Sequence, residues 1–91
     1  MFFEWDRDKE AQNRKKHGVS FREGATVFDD PLSTTFPDLA HTEEEQRYIT
    51  IGMTEKDTII VVAHTEKEDT VRIINARRAT RHEQRFYEEE R

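Results

Sequence analysis

The sequence predicts an α+β domain: a small antiparallel sheet, three to four strands plus a short N-terminal strand, with helices packed on one side. Three observations carry this. Apolar residues alternate over Arg47–Met53, run nearly unbroken through Thr58–His64 and return over Val71–Ala76, with polar segments at 55–57 and 66–69 between them. Two helix-start patterns, Ser20 with Glu23 and Thr80 with Glu83, flank that block. Finally, 91 residues of which 33% are hydrophobic suit one small core, so residues 1–91 are expected to form a single domain.

Taken in order, Phe2-Phe3-Glu4-Trp5 is short, aromatic and extended, a first strand. Asp6 is placed to cap a helix over residues 7–17, and Gly18 to stop it. That helix holds Ala11 as its single apolar side chain, so burial cannot fasten it to a core and its polar groups should have a use. Ser20 opens a second helix whose stripe is Phe21, Ala25, Val27 and Phe28, ended by Asp29-Asp30-Pro31. Residues 32–46 read as a loop with one short strand around Ser33–Phe36. In Arg47–Met53, Ile49, Ile51 and Met53 share a face. Thr58–His64 is apolar on both faces and should be the central, most buried strand. Hairpins make these two and Val71–Ala76 antiparallel neighbours. Thr80 opens a last helix to about Glu90.

Composition narrows the chemistry. With no cysteine there are no disulfides and no Cys-ligated zinc or iron–sulfur centre. Four histidines (17, 41, 64 and 82) lack metal-type spacing, and no serine nucleophile elbow or phosphate-binding glycine loop occurs. No metal and no cofactor are therefore expected. No apolar run is long enough to span a bilayer and Met1-Phe2-Phe3-Glu4 is not a signal sequence, so the expected setting is cytoplasmic, without a membrane partner.

Charge supplies the positive signal. The chain is acidic, 20 Asp+Glu against 15 Lys+Arg, which argues against indiscriminate binding to nucleic acid. Yet residues 7–17 carry Arg7, Lys9, Arg14, Lys15 and Lys16 against Asp8 and Glu10, and residues 72–85 carry five arginines against Glu83 alone. If these segments meet, they make one positive surface suited to phosphate; if not, they are two solvated faces. On the first helix Lys9, Asn13, Lys16 and His17 share a face and could hold a phosphodiester and supply a proton. Lys16 and His17 would also satisfy the negative end of the helix dipole. Arg72 interrupts an apolar strand and must find an acid such as Glu4 or Glu83, or reach solvent at a site. Arg77 and Arg78 lie at a strand-to-helix junction, where N–H groups welcome anions, and alternation lets one of the two face any given site. Arg81 and Arg85 can pair with Glu88 and Glu89. His64, ending the central strand, reads as structural on motif grounds.

An inventory rich in Arg, Lys and His, without metal ligands or nucleophile, matches RNA cleavage in which the substrate's own 2′-OH attacks phosphorus. An anion-binding interaction module would show the same residues. A DNA-binding regulator acting alone fits least, because residues 80–90 end in three glutamates.

Phe3-Glu4-Trp5-Asp6, Lys9, Asn13, the block Lys16-His17-Gly18-Val19-Ser20-Phe21, Phe28-Asp29-Asp30-Pro31, Arg47, Gly52, the block Arg72-Ile73-Ile74-Asn75-Ala76-Arg77, Glu83 and Tyr87 together resemble the BrnT family. That resemblance spans essentially the whole chain. It implies a RelE-like fold, metal-independent endoribonuclease activity that blocks translation, and neutralisation by a BrnA-type antitoxin. It further implies a heterotetramer that binds operator DNA mainly through the antitoxin. The matching polar residues are Lys9, Lys16, His17, Arg47, Arg72, Arg77, Glu83 and Tyr87. The expected catalytic set is His17 as general acid/base, with Arg72 and Arg77 as phosphate clamps. The RNA-binding set is Lys9, Lys16, Arg47, Arg78 and Tyr87. Asn75 stands where serine is expected and His64 where an aromatic is usual.

Overall fold

The structure, a computed structural model, describes residues 1–40 and 45–89. Along the chain come β1 (Phe2–Glu4), α1 (Arg7–His17), α2 (Phe21–Ala25), a 3-10 turn (Thr26–Asp29), β2 (Thr34–Pro37), β3 (Arg47–Met53), β4 (Ile59–Lys67), β5 (Thr70–Arg78) and α3 (Arg81–Glu89). The middle of the predicted 32–46 loop, residues 41–44, and the predicted helix end at Glu90 lie outside the described residues.

Each helix starts where its cap says it should. Asp6 accepts from the Lys9 N–H at 3.0 Å, and Ser20 Oγ from the Glu23 N–H at 3.0 Å. Thr80 and Glu83 complete a reciprocal box, Glu83 N–H to Thr80 Oγ1 at 3.1 Å and Thr80 N–H to Glu83 Oε1 at 2.9 Å. Gly18 ends α1 at φ 71°, its N–H returning to the Arg14 carbonyl. The second helix is shorter than its stripe suggests. Thr26 Oγ1 donates to the Glu23 carbonyl at 2.6 Å and the chain tightens into the 3-10 turn.

The five strands lie in the order β1-β5-β4-β3-β2, with β4 near the centre as expected. Two features depart from the sequence reading. First, the sheet is mixed: β1 runs parallel to β5, whereas the other pairs are antiparallel. No hairpin joins β1 to β5, so nothing forces an antiparallel pairing. Second, helices cover both faces. Val19, Phe21 and Val27 pack with Ile60, Val62, Val71, Ile73 and Ala76 on one face. Tyr87 and Phe86 of α3 pack with Ile51, Val61 and Ala79 on the other. The reason is the two-sided apolarity of β4, whose second face also needs a cover. Gly52 allows the 3-10 turn to close on the first face, since a Cβ there would come within 3.0 Å of the Val27 and Ser33 side chains.

One amide fastens α1. Asn13 is buried, its Nδ2 donating to the Ala76 carbonyl at 2.8 Å and the Val19 carbonyl at 3.0 Å, and its Oδ1 accepting the Ala76 N–H at 3.2 Å. It stands in for a neighbouring strand on the part of the β5 edge beyond the reach of β1, which pairs only with Thr70–Arg72. Asn13 thus shares the face of Lys9, Lys16 and His17 as expected, but its polar atoms are engaged by backbone and its role is structural. Replacing it by alanine orphans a buried N–H and two carbonyls; we expect Asn13→Ala to lose roughly 2–4 kcal/mol, read as a drop in urea midpoint. A shift within error would contradict this account of α1.

Candidate functional site

Because Asn13 ties α1 along β5, the first basic segment lies against the strand that opens the second, which contributes Ile74 and Asn75 to the shared groove but none of its arginines. Lys9, Lys16 and His17 on the helix and Ile74 and Asn75 on the strand line one open groove of about 330 Å³. A bulge presents the strand side. Ala63 pairs with Asn75 and His64 with Ile73, which leaves Ile74 as an extra residue on β5. Gln12, one helical turn from Lys9, also lines the groove. Its place follows from the Lys9–Lys16 spacing, yet it carries no charge to single it out.

Arg72 lies two residues before Ile74 on β5, outside the lining of the groove. The Asp6 carboxyl is held below its ordinary range first by the Lys9 N–H, with smaller contributions from the charges of Lys9 and Arg72. The Arg72 guanidinium lies 3.7 Å from Glu4 Oε1, both side chains about half exposed. Such a pair is loose and screened, worth roughly 0–1 kcal/mol. Across the sheet Glu4, Arg72, Thr65 and Arg47 fall in one register line over β1, β5, β4 and β3. Directly opposed residues share a face, so Arg47 and Arg72 stand on the α3 face with Thr65 between them, about 10 Å apart at two strand spacings.

The other predicted residues do not join them equally. Arg77 is clipped by α3: its Nη1 and Nη2 donate to Glu83 Oε1 and Oε2 at 2.8 and 2.9 Å. That fork pulls the Glu83 carboxyl down to about 2 and pushes the Arg77 guanidinium up. Arg78 is exposed beside a different hollow of about 370 Å³ near the β3–β4 turn, with Asp57, Thr58 and Gln84. Tyr87 is buried and its hydroxyl donates to Asp30 Oδ2 at 2.7 Å, so it has no ring face to offer a base. The same Asp30 oxygen accepts the Met53 N–H at 2.9 Å, and the tyrosine therefore anchors α3 to β3 and the 3-10 turn. Among the described residues no group of three or more His, Cys, Asp or Glu is arranged to hold a metal ion, and no helix is long and apolar enough to cross a membrane.

His64 lies apart from the groove, fully buried. Its ring meets Phe28 edge-on at 4.9 Å and stacks on Tyr48 at 6.0 Å, filling an aromatic's place. Nε2 and Thr50 Oγ1 are 2.7 Å apart, and Thr50 Oγ1 reaches Thr35 Oγ1, also at 2.7 Å. Glu66 Oε2 approaches Nδ1 to 3.4 Å without making a hydrogen bond. Desolvation accordingly wins and pushes the imidazole down to about 4.

Comparison with known proteins bears on the family and the fold. A family model described as the BrnT ribonuclease toxin of type II toxin–antitoxin systems matches residues 5–83. Among solved structures, the crystal structure of the Brucella abortus ribonuclease toxin BrnT superposes with a TM-score of 0.68 at 24% sequence identity. The match covers 89% of this chain and 100% of that one; at this identity the likeness speaks for the fold. No curated protein matches.

His64 sets an acid limit on stability. Its folded value of about 4 is below the ordinary 6.5, so between those values the unfolded chain takes up a proton that the folded one refuses. Stability should thus fall as pH drops from 6.5 to 4, by up to about 1.4 kcal/mol per pH unit. His64→Phe should flatten that slope in urea titrations run at several pH values, since the Thr50 hydroxyl keeps Thr35. An unchanged slope would place the proton uptake elsewhere.

Proposed function

The chain belongs to the BrnT family of ribonuclease toxins of type II toxin–antitoxin systems, and from that premise we propose that it is a metal-independent endoribonuclease that cleaves RNA through the substrate's own 2′-OH. The observation that carries this reading is the convergence of Lys9, Lys16 and His17 in one open groove whose other wall is β5, the strand that also carries Arg72. In this scheme the 2′-oxygen attacks the adjacent phosphorus, the 5′-oxygen leaves, and the products are a 2′,3′-cyclic phosphate and a 5′-hydroxyl. One proton leaves the 2′-OH and one arrives at the departing oxygen. His17 moves the proton at one of them, and water in the open groove serves the other.

Arg72 is assigned the growing charge on the non-bridging oxygens, since its pairing with Glu4 is loose enough to exchange for phosphate. Lys9 and Lys16 hold the backbone on either side, and Arg47 receives a flanking phosphate on the sheet face. Arg77, engaged by Glu83 on both nitrogens, is assigned to fixing α3 rather than to the phosphate. Arg78 and Tyr87 leave the RNA-binding set on the same positional grounds. The partner is taken to be a BrnA-type antitoxin that neutralises the toxin and carries operator binding, and the setting is the cytoplasm, where blocked translation arrests growth.

Purified protein freed of antitoxin is incubated with long single-stranded RNA in EDTA. Wild type should leave 2′,3′-cyclic phosphate ends; Arg72→Ala should be slower by about 10²–10³-fold and His17→Ala by about 10²–10⁴-fold. Losses below tenfold in both would overturn the site. No cleavage by folded wild type, with ribosomes also supplied, would favour a non-catalytic module whose anion-binding surface receives the antitoxin.

A further inference from the structure

Two side-chain amides in the groove have no structural employment. Gln12 on α1 and Asn75 on β5 are exposed, face the same groove from its helix and strand walls, and make no hydrogen bond among the described residues. Asn13, next along the helix, shows what a structural amide looks like here, with both ends engaged by backbone. Lys9, Gln12 and Lys16 form one stripe, so the unengaged amide sits between the two cations. Opposite it the bulge sets Ile74, a half-buried apolar side chain, beside Asn75. A groove of about 330 Å³ is at the lower end of the range for small-molecule sites, roughly 300–1,000 Å³.

We propose that this groove is a nucleobase pocket, in which Gln12 and Asn75 read the two edges of one adenine next to the cleaved phosphate. The proposal rests on the nuclease reading above and adds to it the determinant of sequence preference. An amide presents one acceptor and one donor side by side. Adenine answers that pattern twice: N6–H with N1 on its Watson–Crick edge, and N6–H with N7 on its Hoogsteen edge. Guanine offers two acceptors on its Hoogsteen edge, so one of the two amides would set its oxygen against a lone pair. Pyrimidines fill one edge and leave the second amide unmatched. Ile74 supplies an apolar surface for the ring, and Lys9 and Lys16 take the flanking phosphates. An unpaired base in single-stranded RNA is the substrate form that exposes both edges at once.

The test compares wild type with the Gln12→Ala/Asn75→Ala double variant by sequencing the ends left in a long unstructured RNA. Wild type should concentrate its cuts at a fixed register from adenine. The double variant should lose that preference by at least about fivefold, measured as the ratio of cutting at adenine to cutting at uridine, whatever its overall rate. Asn75→Ser, which restores the residue expected from the family resemblance, should weaken the preference alone. A preference kept by the double variant, or a wild-type preference for another base, would overturn the proposal. Binding separates it from the nuclease reading. By fluorescence anisotropy, wild type should hold a short oligoadenylate more tightly than an oligouridylate, and the double variant should lose the difference. That result with no cleavage would leave the pocket standing and remove the nuclease; equal binding of both oligomers by wild type would remove the pocket.

Discussion

The Asn13 side chain is the constraint on which the architecture turns. An 11-residue helix with one apolar side chain has no hydrophobic reason to dock, and Ala11 itself is exposed. What holds α1 is an amide acting as a piece of backbone, completing the hydrogen bonds of a residue 63 positions away. Apart from Glu10, whose carboxylate accepts the Phe21 N–H at 3.3 Å, the polar side chains beside Asn13 are left outside this fastening. Lys9, Gln12, Lys16 and His17 are therefore available to a ligand, and the groove is a by-product of how the helix is attached.

The arginines divide by how tightly acids hold them. Glu83 takes both nitrogens of Arg77 in a fork, inside an interface that α3 closes. Glu4 meets Arg72 at 3.7 Å in the open. Both pairs are salt bridges by distance, but they differ in what a phosphate would have to displace. Two charge-assisted hydrogen bonds hold Arg77 to a carboxylate that also caps α3, whereas a screened contact stands on Arg72. The family resemblance gives both the same role as phosphate clamps; geometry does not.

Much of this was legible beforehand because it is local. Caps at Asp6, Ser20 and Thr80, the stop at Gly18 and the alternation around Ile49 and Ile51 depend on neighbours within one turn or one strand. The family resemblance was legible too, since the Lys16–Phe21 and Arg72–Arg77 blocks are contiguous. What escaped is long-range. Asn13 looked like a ligand on a polar face because its partner lies 63 residues on. Tyr87 looked like a recognition aromatic because nothing nearby announces Asp30, 57 residues back. The two-sided cover was implicit in β4, apolar on both faces, but helix periodicity does not say which side a helix takes. Arg77's clip was half visible, since Glu83 also serves as the third residue of a capping box.

The outer edge of β5 is met in two places, by β1 along its first third and by Asn13 at Ala76. Both contacts come from the first thirteen residues, while the edge they meet runs to residue 78. During synthesis the segment that seals the sheet emerges first and waits for the strand it seals, so this seam is a contact of high sequence separation that forms late. Until residue 76 is available, α1 has its local contacts to Val19 and Phe21 but lacks the strand on which it docks. An unfinished polypeptide therefore has neither a protected edge nor an assembled groove, and the order of translation itself delays the site until the sheet that supports it is in place.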